Sequence, residues 1–535
     1  MNAADVAAWI DGDPDPGTRA ELRALTGDAL AERFAGHLTF GTAGLRGPVR
    51  AGPNGMNVAV VTRATAGLAA WLADRCLGGG TVVVGRDARH GSEAFARAAA
   101  EVLSAAGFVV VLLPRPLPTP LVAFTVRRLR AVAGVQITAS HNPAGDNGYK
   151  VYLSGGAQVV APADTEIEAA IARVGPAAAV PRTAVEATGD ELVEQYLDRV
   201  ARLPRQRRRD VRIALTPLHG VGGETALAAL HRAGFDDVHV VEAQYAPDPD
   251  FPTAPFPNPE EAGTTDALLA LAAEVDADLA VALDPDADRC ALGVRDREGW
   301  RMLTGDEAGV LLADHVLAYA AADPLVATTI VSSTLLGEIA AAHGARYART
   351  LTGFKWLTRA GDGLVYAYEE ALGICADPDA VRDKDGMSAA VVAADLVAAL
   401  AAEGRTLPDR LDDFAVEHGV HVGGQLSHRV DRLGEIADTM ASLRADPPRE
   451  LAGVPVEVTD LQQVRGALRT DAVILAGRDR AGGVRVVVRP SGTEPKLKCY
   501  LEVTEPVPGI EALARVRASA HERLGRVRAD CAALL

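Results

Sequence analysis

The chain is poor in cysteine and in basic residues, and each shortage excludes a class of protein. Its five cysteines are scattered through 535 residues without C-x-x-C spacing, which argues against a disulfide framework or a zinc site. Aspartate and glutamate number 71 against 54 lysines and arginines, giving a net charge of −17. Because such a chain repels polyanions, we expect no nucleic-acid partner. The one basic run, at residues 205–209, is interpreted as a solvated connection.

Long apolar runs are also missing. No stretch approaches the roughly 18 uninterrupted apolar residues of a membrane helix. The first residues, MNAADVAAWIDGDPDPG, are acidic where a signal peptide needs basic ones. We therefore predict a cytoplasmic protein with no membrane partner. Because single cores stop growing near about 250–300 residues, a chain of this length is expected to form three or four domains.

Short β-branched runs alternate with Ala/Leu-rich segments of helical spacing. TVVVGRD precedes SEAFARAAAEVLSAAG, and VRIALTP precedes GETALAALHRAG. This alternation predicts βαβ units and mostly parallel sheets, in which ligands bind beyond the carboxyl ends of the strands. Changes in composition place the predicted domain boundaries near residues 205, 305 and 420. The predicted domains are 1–205, 206–305, 306–420 and 421–535.

A serine lies at the end of one apolar strand. In VAGVQITASHNPAGDNGYKVY, Ser140 is at the tip of a predicted turn, closed by Pro143 and Gly145. Taken alone, such a motif is usually a structural turn in which Ser and Asn side chains bond the backbone. Polar and cationic side chains nearby, including His141 and Lys150, favour a reactive hydroxyl instead. A phosphoserine there would carry about −1.5 to −2 charges and would need a metal and a lysine beside it.

Three aspartates follow another apolar strand. ADLAVALDPDADRC places Asp284, Asp286 and Asp288 at alternate positions, with Arg289 next. Oxygen ligands at this spacing suit a hard divalent cation such as Mg²⁺. An EF-hand is disfavoured because the loop lacks Gly at its sixth position and Glu at its twelfth. The stronger alternative is an aspartyl phosphatase of the HAD type, whose motif also places D-x-D after a strand.

Two further loops carry groups that suit a phosphosugar. VRVVVRPSGTEPKLKCYLEV places an arginine, hydroxyls, a glycine and a lysine in a tight turn that suits phosphate; they are Arg489, Ser491, Gly492, Thr493 and Lys496. No Walker A sequence is present, which disfavours nucleotide-dependent kinase chemistry. In YAYEEALGICADPDAVRDKDG, Glu369 and Glu370 suit sugar hydroxyls, although such a pair is also common at a solvated helix start. Lys384 lies on a DKDG turn and could face phosphate.

In this order, the loops resemble those of the α-D-phosphohexomutase superfamily, the phosphoglucomutase and phosphomannomutase enzymes. The similarity covers almost the whole chain through six motifs: FGTAGLRG at 40–47, TASHNP at 138–143, DPDADR at 284–289, LTGFKW at 351–356, EEALG at 369–373 and RPSGTEPK at 489–496. It implies an α/β fold of four domains around a central cleft. Three of these would be related mixed α/β domains, and the C-terminal one a smaller α+β domain.

The resemblance also implies roles for individual residues. The family phosphoserine falls on Ser140, and the metal ligands fall on Ser140 and the three aspartates of the DPDADR loop. Arg46 belongs to the loop near the phosphoserine, and Lys150 is the candidate acid/base, with His141 shaping the loop. The sugar and phosphate contacts fall on Arg289, Lys355, Glu369, Glu370 and Lys384, and on the RPSGTEPK loop.

The implied reaction is phosphoryl transfer between two hydroxyls of one sugar. Phospho-Ser140 would donate to a sugar monophosphate, and a sugar 1,6-bisphosphate would be the intermediate and activator, with one Mg²⁺ per chain. The expected substrate is glucose 1-phosphate or glucose 6-phosphate, and the chain is expected to be a monomer or homodimer. Ala371 stands where many family members have Ser or Met. LRG, TPLHG and DKDG resemble the branch that includes phosphopentomutases and glucose-1,6-bisphosphate synthases.

Three alternatives follow from that site. A phosphomannomutase or phosphopentomutase would use the same chemistry on another sugar. A bisphosphate synthase would take its phosphate from a bisphosphoglycerate-like donor. A non-catalytic phosphosugar sensor would tolerate loss of Ser140 or an aspartate, whereas all of these residues are present here.

Overall fold

A computed structural model describes residues 3–41, 43–430, 432–491 and 496–534. The chain forms two compact units. Unit 1 comprises Met1–Met302 and Gly373–Ala399, and unit 2 comprises Leu303–Leu372 and Leu400–Leu535. The domain boundaries at 205, 305 and 420 stay predictions.

The first sheet of unit 1 is mixed. Strands β2, β3 and β4 are parallel, β5 is antiparallel to β4, and β1 is antiparallel to β5. The strand order is β1-β5-β4-β2-β3, and β6 pairs with β5. Apolar side chains on the helices and strands form one core, in which Leu68, Val84 and Ile137 are fully buried. The elements are α1 (Ala3–Asp11), α2 (Pro16–Ala24), α3 (Gly27–Arg33), β1 (Leu45–Pro48), α4 (Val58–Asp74), β2 (Thr81–Arg86), α5 (Ser92–Ala105), β3 (Val109–Leu112), α6 (Thr119–Leu129), β4 (Ala133–Ile137), β5 (Asp146–Leu153), β6 (Ala157–Gln158), α7 (Ala163–Ala172) and α8 (Glu191–Val200).

The second sheet of unit 1 repeats this topology. Its order is β11-β10-β9-β7-β8, with β7, β8 and β9 parallel and β10 antiparallel to β9. β9 is buried along its whole length, as expected for a parallel strand covered on both faces. The elements are β7 (Ile213–Thr216), α9 (Gly222–Arg232), β8 (Val238–Val240), α10 (Glu242–Tyr245), α11 (Asp266–Glu274), β9 (Leu279–Leu283), β10 (Cys290–Arg295) and β11 (Trp300–Met302).

The shared topology fixes where the two polar loops lie. Counted from β2 in the first sheet and from β7 in the second, the first strand lies between the second and the third, and the fourth runs antiparallel to the third. The connection from the third to the fourth strand carries Ser140 in the first sheet and the three aspartates in the second. The sequence similarity of these segments is too weak to reveal a repeat, but the strand order shows one.

Unit 2 begins with a parallel β-sheet. β12 pairs in parallel with β13 and with β14. Thr304 and Glu307 form a capping box that fixes the start of α12. The elements are α12 (Gly305–Ala318), β12 (Leu325–Thr329), α13 (Leu335–Ala342), β13 (Arg346–Thr350), α14 (Phe354–Leu357) and β14 (Leu364–Glu369).

The chain then returns to unit 1. β15 (Gly373–Cys375) precedes a turn at residues 376–385 and the long helix α15 (Gly386–Ala402). Asp385 accepts hydrogen bonds from the amides of Met387 and Ser388 in the first turn of α15, as a capping carboxylate does.

The rest of unit 2 contains an antiparallel sheet of order β16-β22-β21-β20-β19. Helix α18 packs on this sheet through Val516, Leu524 and Val527. The elements are α16 (Leu407–His418), β16 (Val420–Arg429), α17 (Leu433–Ala445), β17 (Glu450–Leu451), β18 (Val454–Pro455), β19 (Glu457–Asp460), β20 (Val473–Arg478), β21 (Gly483–Pro490), β22 (Lys496–Glu505) and α18 (Leu513–Ala533).

Two sequence expectations concern these elements directly. All five cysteines are free thiols, and four of them are buried. Within the described ranges no helix by itself has the length and apolarity to cross a membrane; only α15 and α16 taken together, as a bent pair, reach those values.

Candidate active site

Ser140 lies in the connection between β4 and β5, as predicted. Its side chain is almost fully buried, and its backbone has φ of 54°, a left-handed conformation that costs a non-glycine residue about 1–2 kcal/mol. The Ser140 amide donates to Thr138 Oγ1 at 2.9 Å. A residue held in this conformation needs support from its surroundings, and strained residues of this kind cluster at active sites.

Arg89 supplies that support. Its guanidinium donates to the carbonyl oxygens of Ser140 at 2.6 Å, Asn142 at 2.5 Å, Pro143 at 2.8 Å and Asp146 at 3.2 Å. Asp87 lies 3.4 Å from the same guanidinium, and both side chains are buried. The five donors of arginine suit this task because one rigid fork can bind several carbonyls at once.

We expect Arg89→Met to lower the free energy of unfolding by about 3–5 kcal/mol, because Asp87 would then be a buried charge without its partner. Urea unfolding curves measure the change. Arg97→Met is the matched control, since Arg97 lies on α5 and pairs with Glu93 on the surface. A surface pair of this kind contributes about 0–1 kcal/mol. Equal changes in the free energy of unfolding for the two variants would contradict the supporting role of Arg89.

The three aspartates converge on one point. Asp284, Asp286 and Asp288 are at most 1% exposed, and each can place one oxygen within 4.8 Å of those of the others. Thr119, at the start of α6, fixes the position of Asp286. Its amide donates to the Asp286 carbonyl at 2.9 Å, and its hydroxyl donates to Asp286 Oδ2 at 2.5 Å. The Ser140 hydroxyl donates to Asp284 Oδ2 at 2.9 Å. The serine and acidic loops therefore meet.

Two lysines face the aspartates. Lys150 Nζ lies 2.6 Å from Asp286 Oδ2 and 3.0 Å from Asp288 Oδ2, and Lys384 Nζ lies 3.1 Å from Asp288. Burial opposes ionisation of Asp288, but the attraction of Lys150 and Lys384 outweighs it and lowers its pKa. Burial, and then repulsion from Asp286 and Asp288, raise the pKa of Asp284 well above its ordinary value. Three carboxyl groups thus lie beside two lysines in this loop.

This donor set fits a divalent metal ion. Asp286 Oδ1 and Asp288 Oδ1 are buried and accept no hydrogen bond from the described residues. Buried carboxylate oxygens without a donor are costly, and a hard cation such as Mg²⁺ binds oxygen ligands of this kind. Asp284, Asp286 and Asp288 could therefore hold the metal that the sequence predicts.

Other predicted residues surround the same loops. Arg46 donates to Asn142 Oδ1 at 2.9 Å, and His141 Nδ1 lies 3.2 Å from Ser140 Oγ. Burial, together with the positive charges of Arg289 and Arg46, lowers the pKa of His141 well below its usual value. The Arg289 guanidinium lies 4.0 Å from both Asp284 and Asp288. Unit 1 thus brings together all the predicted residues of the serine and acidic loops, with Lys384.

The sugar-loop residues belong to unit 2. Glu369 ends β14 and is buried, whereas Glu370 Oε2 accepts hydrogen bonds from Thr329 at 3.0 Å and Ser332 at 2.9 Å. Gly305 packs against this loop so closely that a Cβ there would lie 2.0 Å from the Glu370 carbonyl oxygen. Lys355 is half-buried on α14. The carboxylate of Glu370 therefore also stabilises the loop after β12.

The predicted phosphate loop lies between β21 and β22. In the antiparallel register of these strands, Arg489 lies opposite Lys498. The Ser491 amide donates to the Lys496 carbonyl at 2.8 Å. Arg489 hydrogen-bonds the buried Tyr500, whose surroundings also include the two glutamates of the EEALG loop. The predicted residues Gly492 and Thr493 lie outside the described residues.

The sequence did not identify every side chain that supports this site. Arg89, Thr119 and Tyr196 support it from outside the motifs described above, whereas Tyr152 and Asp383 lie within quoted segments but carry no predicted role. For Arg89 a signal exists, because the GRDAR segment follows a predicted strand at its carboxyl end. Asn147, which the sequence places near the serine, donates to the His90 carbonyl and to Ser92 Oγ.

Four family models match successive parts of the chain. Those of the phosphoglucomutase/phosphomannomutase α/β/α domains I, II and III match residues 37–177, 194–299 and 304–416. The model of the C-terminal domain matches residues 450–528. These matches confirm the predicted fold class of three α/β domains and a different C-terminal domain.

Curated proteins match over most of their length. The chain is 42% identical over 458 residues to a Haemophilus influenzae protein named "Probable phosphomannomutase", covering 84% of this chain and 93% of that protein. It is 32% identical to the mouse "Phosphopentomutase", covering 98% and 93%. In the crystal structure of a phosphoglucomutase/phosphomannomutase family protein from Burkholderia thailandensis, 22% identical, the similarity covers 90% of this chain and 96% of that one, with a TM-score of 0.67. At that identity the structure supports the fold alone.

Proposed function

Since the chain belongs to the phosphoglucomutase/phosphomannomutase family and is a phosphosugar mutase, we propose that it interconverts glucose 1-phosphate and glucose 6-phosphate through phospho-Ser140. One observation carries the proposal. A buried serine hydroxyl in a strained backbone conformation lies 2.9 Å from the first of three buried aspartates. A phosphoryl group on that oxygen would lie beside the carboxylate cluster and its lysines.

The proposed reaction has two transfers. In the first, a free hydroxyl of the sugar monophosphate attacks phosphorus, the bond from phosphorus to Ser140 Oγ breaks, and a sugar bisphosphate forms. In the second, Ser140 Oγ attacks the other phosphate of the bisphosphate, and the isomeric monophosphate leaves. Each attacking hydroxyl loses one proton and each leaving oxygen gains one, so the phosphoenzyme is regenerated with no net change.

Groups beside Ser140 can carry that proton. We assign donation of a proton to the leaving oxygen to Lys150, because its ammonium pairs with Asp286 and Asp288 and has a proton to give. His141 lies within 3.2 Å of Ser140 Oγ and is the second candidate. Its lowered pKa favours the neutral imidazole, which can accept a proton at neutral pH.

The remaining roles concern charge and orientation. Mg²⁺ bound by Asp284, Asp286, Asp288 and the phosphoserine would neutralise phosphoryl oxygens and make phosphorus more electrophilic. Arg46, Arg289 and Lys384 add positive charge around the serine and acidic loops. We assign Glu369, Glu370 and Lys355 to the sugar, and Arg489, Ser491, Gly492, Thr493 and Lys496 to the phosphate that is not being transferred.

A pentose phosphate is the second candidate substrate. Ala371 offers the sugar no hydroxyl where many family members have Ser, and the mouse relative that matches 98% of this chain is named a phosphopentomutase.

Initial rates on glucose 1-phosphate, mannose 1-phosphate and ribose 1-phosphate test the choice, each with a catalytic amount of glucose 1,6-bisphosphate and with Mg²⁺. We expect kcat/KM to be largest for glucose 1-phosphate. A larger value for ribose or mannose 1-phosphate would overturn the assignment to glucose. Net release of free bisphosphate in place of isomerised monophosphate would identify a bisphosphate synthase.

A further inference from the structure

In the DKDG turn, Lys384 lies between two aspartates in the sequence, Asp383 and Asp385. Asp383, Lys384 and Asp385 are all buried. Lys384 Nζ lies 3.6 Å from Asp383 Oδ1 and 3.1 Å from Asp288. The turn also touches the acidic loop, because the Gly386 amide donates to the Ala287 carbonyl at 3.1 Å. The position of this turn therefore decides where the ammonium of Lys384 lies.

A tyrosine from the first sheet fixes one of these carboxylates. The fully buried Tyr152 donates its hydroxyl to Asp383 Oδ2 at 2.7 Å, and Gln158 donates to the same oxygen at 2.7 Å. Tyr152 and Lys150 are two residues apart on β5, so their side chains share one face of the strand. That face thus directs Lys150 to Asp286 and Asp288, and Tyr152 to the residue beside Lys384.

A second tyrosine fixes the other carboxylate. Tyr196 on α8 is fully buried and donates to Asp385 Oδ1 at 2.7 Å. Its ring packs edge-on against Phe124 of α6. Since Asp385 also caps α15, this hydroxyl joins α8 to the start of the helix that follows Lys384.

Both hydroxyls are fixed donors. Burial, and then the charge of the adjacent carboxylate, raise the pKa of Tyr152 and of Tyr196 well above the usual value for a phenol. Each hydroxyl therefore keeps its proton over the range in which enzymes are assayed. While Tyr152 and Gln158 bind Oδ2 of Asp383, its Oδ1 lies 3.6 Å from the ammonium of Lys384.

We propose that Tyr152 and Tyr196 are positioning residues that hold the DKDG turn from both sides and so place the ammonium of Lys384 for substrate phosphate. The inference rests on the proposed function, in which Lys384 contacts a phosphate. Without the Tyr152 hydroxyl, Asp383 Oδ2 loses one of the two donors that hold it, and the turn relaxes. Misplacing a binding group by about 1 Å can cost about 10²-fold in rate.

The test is a double-mutant cycle on ligand affinity. Calorimetry measures the Kd of glucose 1,6-bisphosphate in a Ser140→Ala background, where turnover does not intervene. We expect Tyr152→Phe to weaken binding about tenfold when Lys384 is present, equivalent to about 1.4 kcal/mol. With Lys384→Ala in the same chain, Tyr152→Phe should change Kd less than twofold. Equal weakening in both chains would overturn the proposal, because a general structural effect does not depend on the lysine.

Tyr149→Phe is the matched control. Tyr149 is also on β5 and fully buried, but its hydroxyl pairs with Thr65 Oγ1 at 3.0 Å, away from the turn. We expect this variant to leave Kd unchanged. If Tyr152→Phe does not fold, the same cycle with Tyr196→Phe decides the matter. If the wild-type chain turns over no phosphosugar, the proposed function itself fails; if it does and the cycle is additive, only this inference fails.

Discussion

Ser140→Ala is expected to abolish both the phosphoenzyme and mutase turnover. The variant removes the one protein atom that forms a bond to phosphorus in the proposed cycle. Loss of a covalent nucleophile typically lowers kcat by about 10⁴-fold or more. Incubation with ³²P-labelled glucose 1,6-bisphosphate, followed by denaturation and scintillation counting, measures the phosphoenzyme. A coupled assay of glucose 6-phosphate formation measures turnover.

The structure offers a close control for this variant. Ser154 lies in the turn after β5 and is exposed, so Ser154→Ala is expected to keep both the label and the activity. Substantial mutase turnover by Ser140→Ala would rule out the covalent scheme. Loss of label with retained sugar binding is the expected combination, since the groups that we assign to the substrate phosphate remain in place.

Asp286→Asn is expected to have the second largest effect. The substitution keeps the size of the side chain but removes one negative charge from the predicted metal site. The charge that a bound metal supplies to a transition state is worth several kcal/mol, so we expect turnover to fall about 10²–10³-fold. Turnover measured against Mg²⁺ concentration should show half-saturation at a higher concentration than for the wild type.

Asp276→Asn is the control for Asp286→Asn, because it removes one negative charge away from the predicted metal site. Asp276 is exposed in the same region of the chain and pairs with Arg295 at 2.8 Å. It should leave the Mg²⁺ dependence unchanged. An Asp286→Asn enzyme with wild-type turnover and the wild-type Mg²⁺ response would contradict the assignment of the acidic loop to a metal.

The local sequence predicts those parts of the site that depend on neighbouring residues. Ser140 and the three aspartates each follow an apolar strand, and alternating strands and helices place such positions at strand ends. The repeated strand order explains why two loops far apart in the sequence occupy equivalent positions in their sheets. Ser140 and Asp284 are 144 residues apart, and still the hydroxyl reaches the carboxylate.

Long-range support could not be predicted in this way. Tyr152 and Asp383 are 231 residues apart, and Tyr196 and Asp385 are 189 apart. Each tyrosine alone looks like an ordinary core aromatic, and each aspartate like a turn residue, so only their contact reveals a role. The grouping of residues 373–399 with unit 1 is hidden for the same reason, since contacts with distant segments decide it.

The lysines beside the acidic loop have a consequence for how the protein matures. Lys150 and Lys384 act as internal counterions for Asp286 and Asp288. We therefore expect the aspartates to keep their arrangement before a metal binds. Zinc fingers behave differently, because the whole domain is unfolded until its metal ion binds. Here we expect metal loading to be separate from folding, so that a chelator should yield a folded but inactive protein whose activity returns when Mg²⁺ is restored.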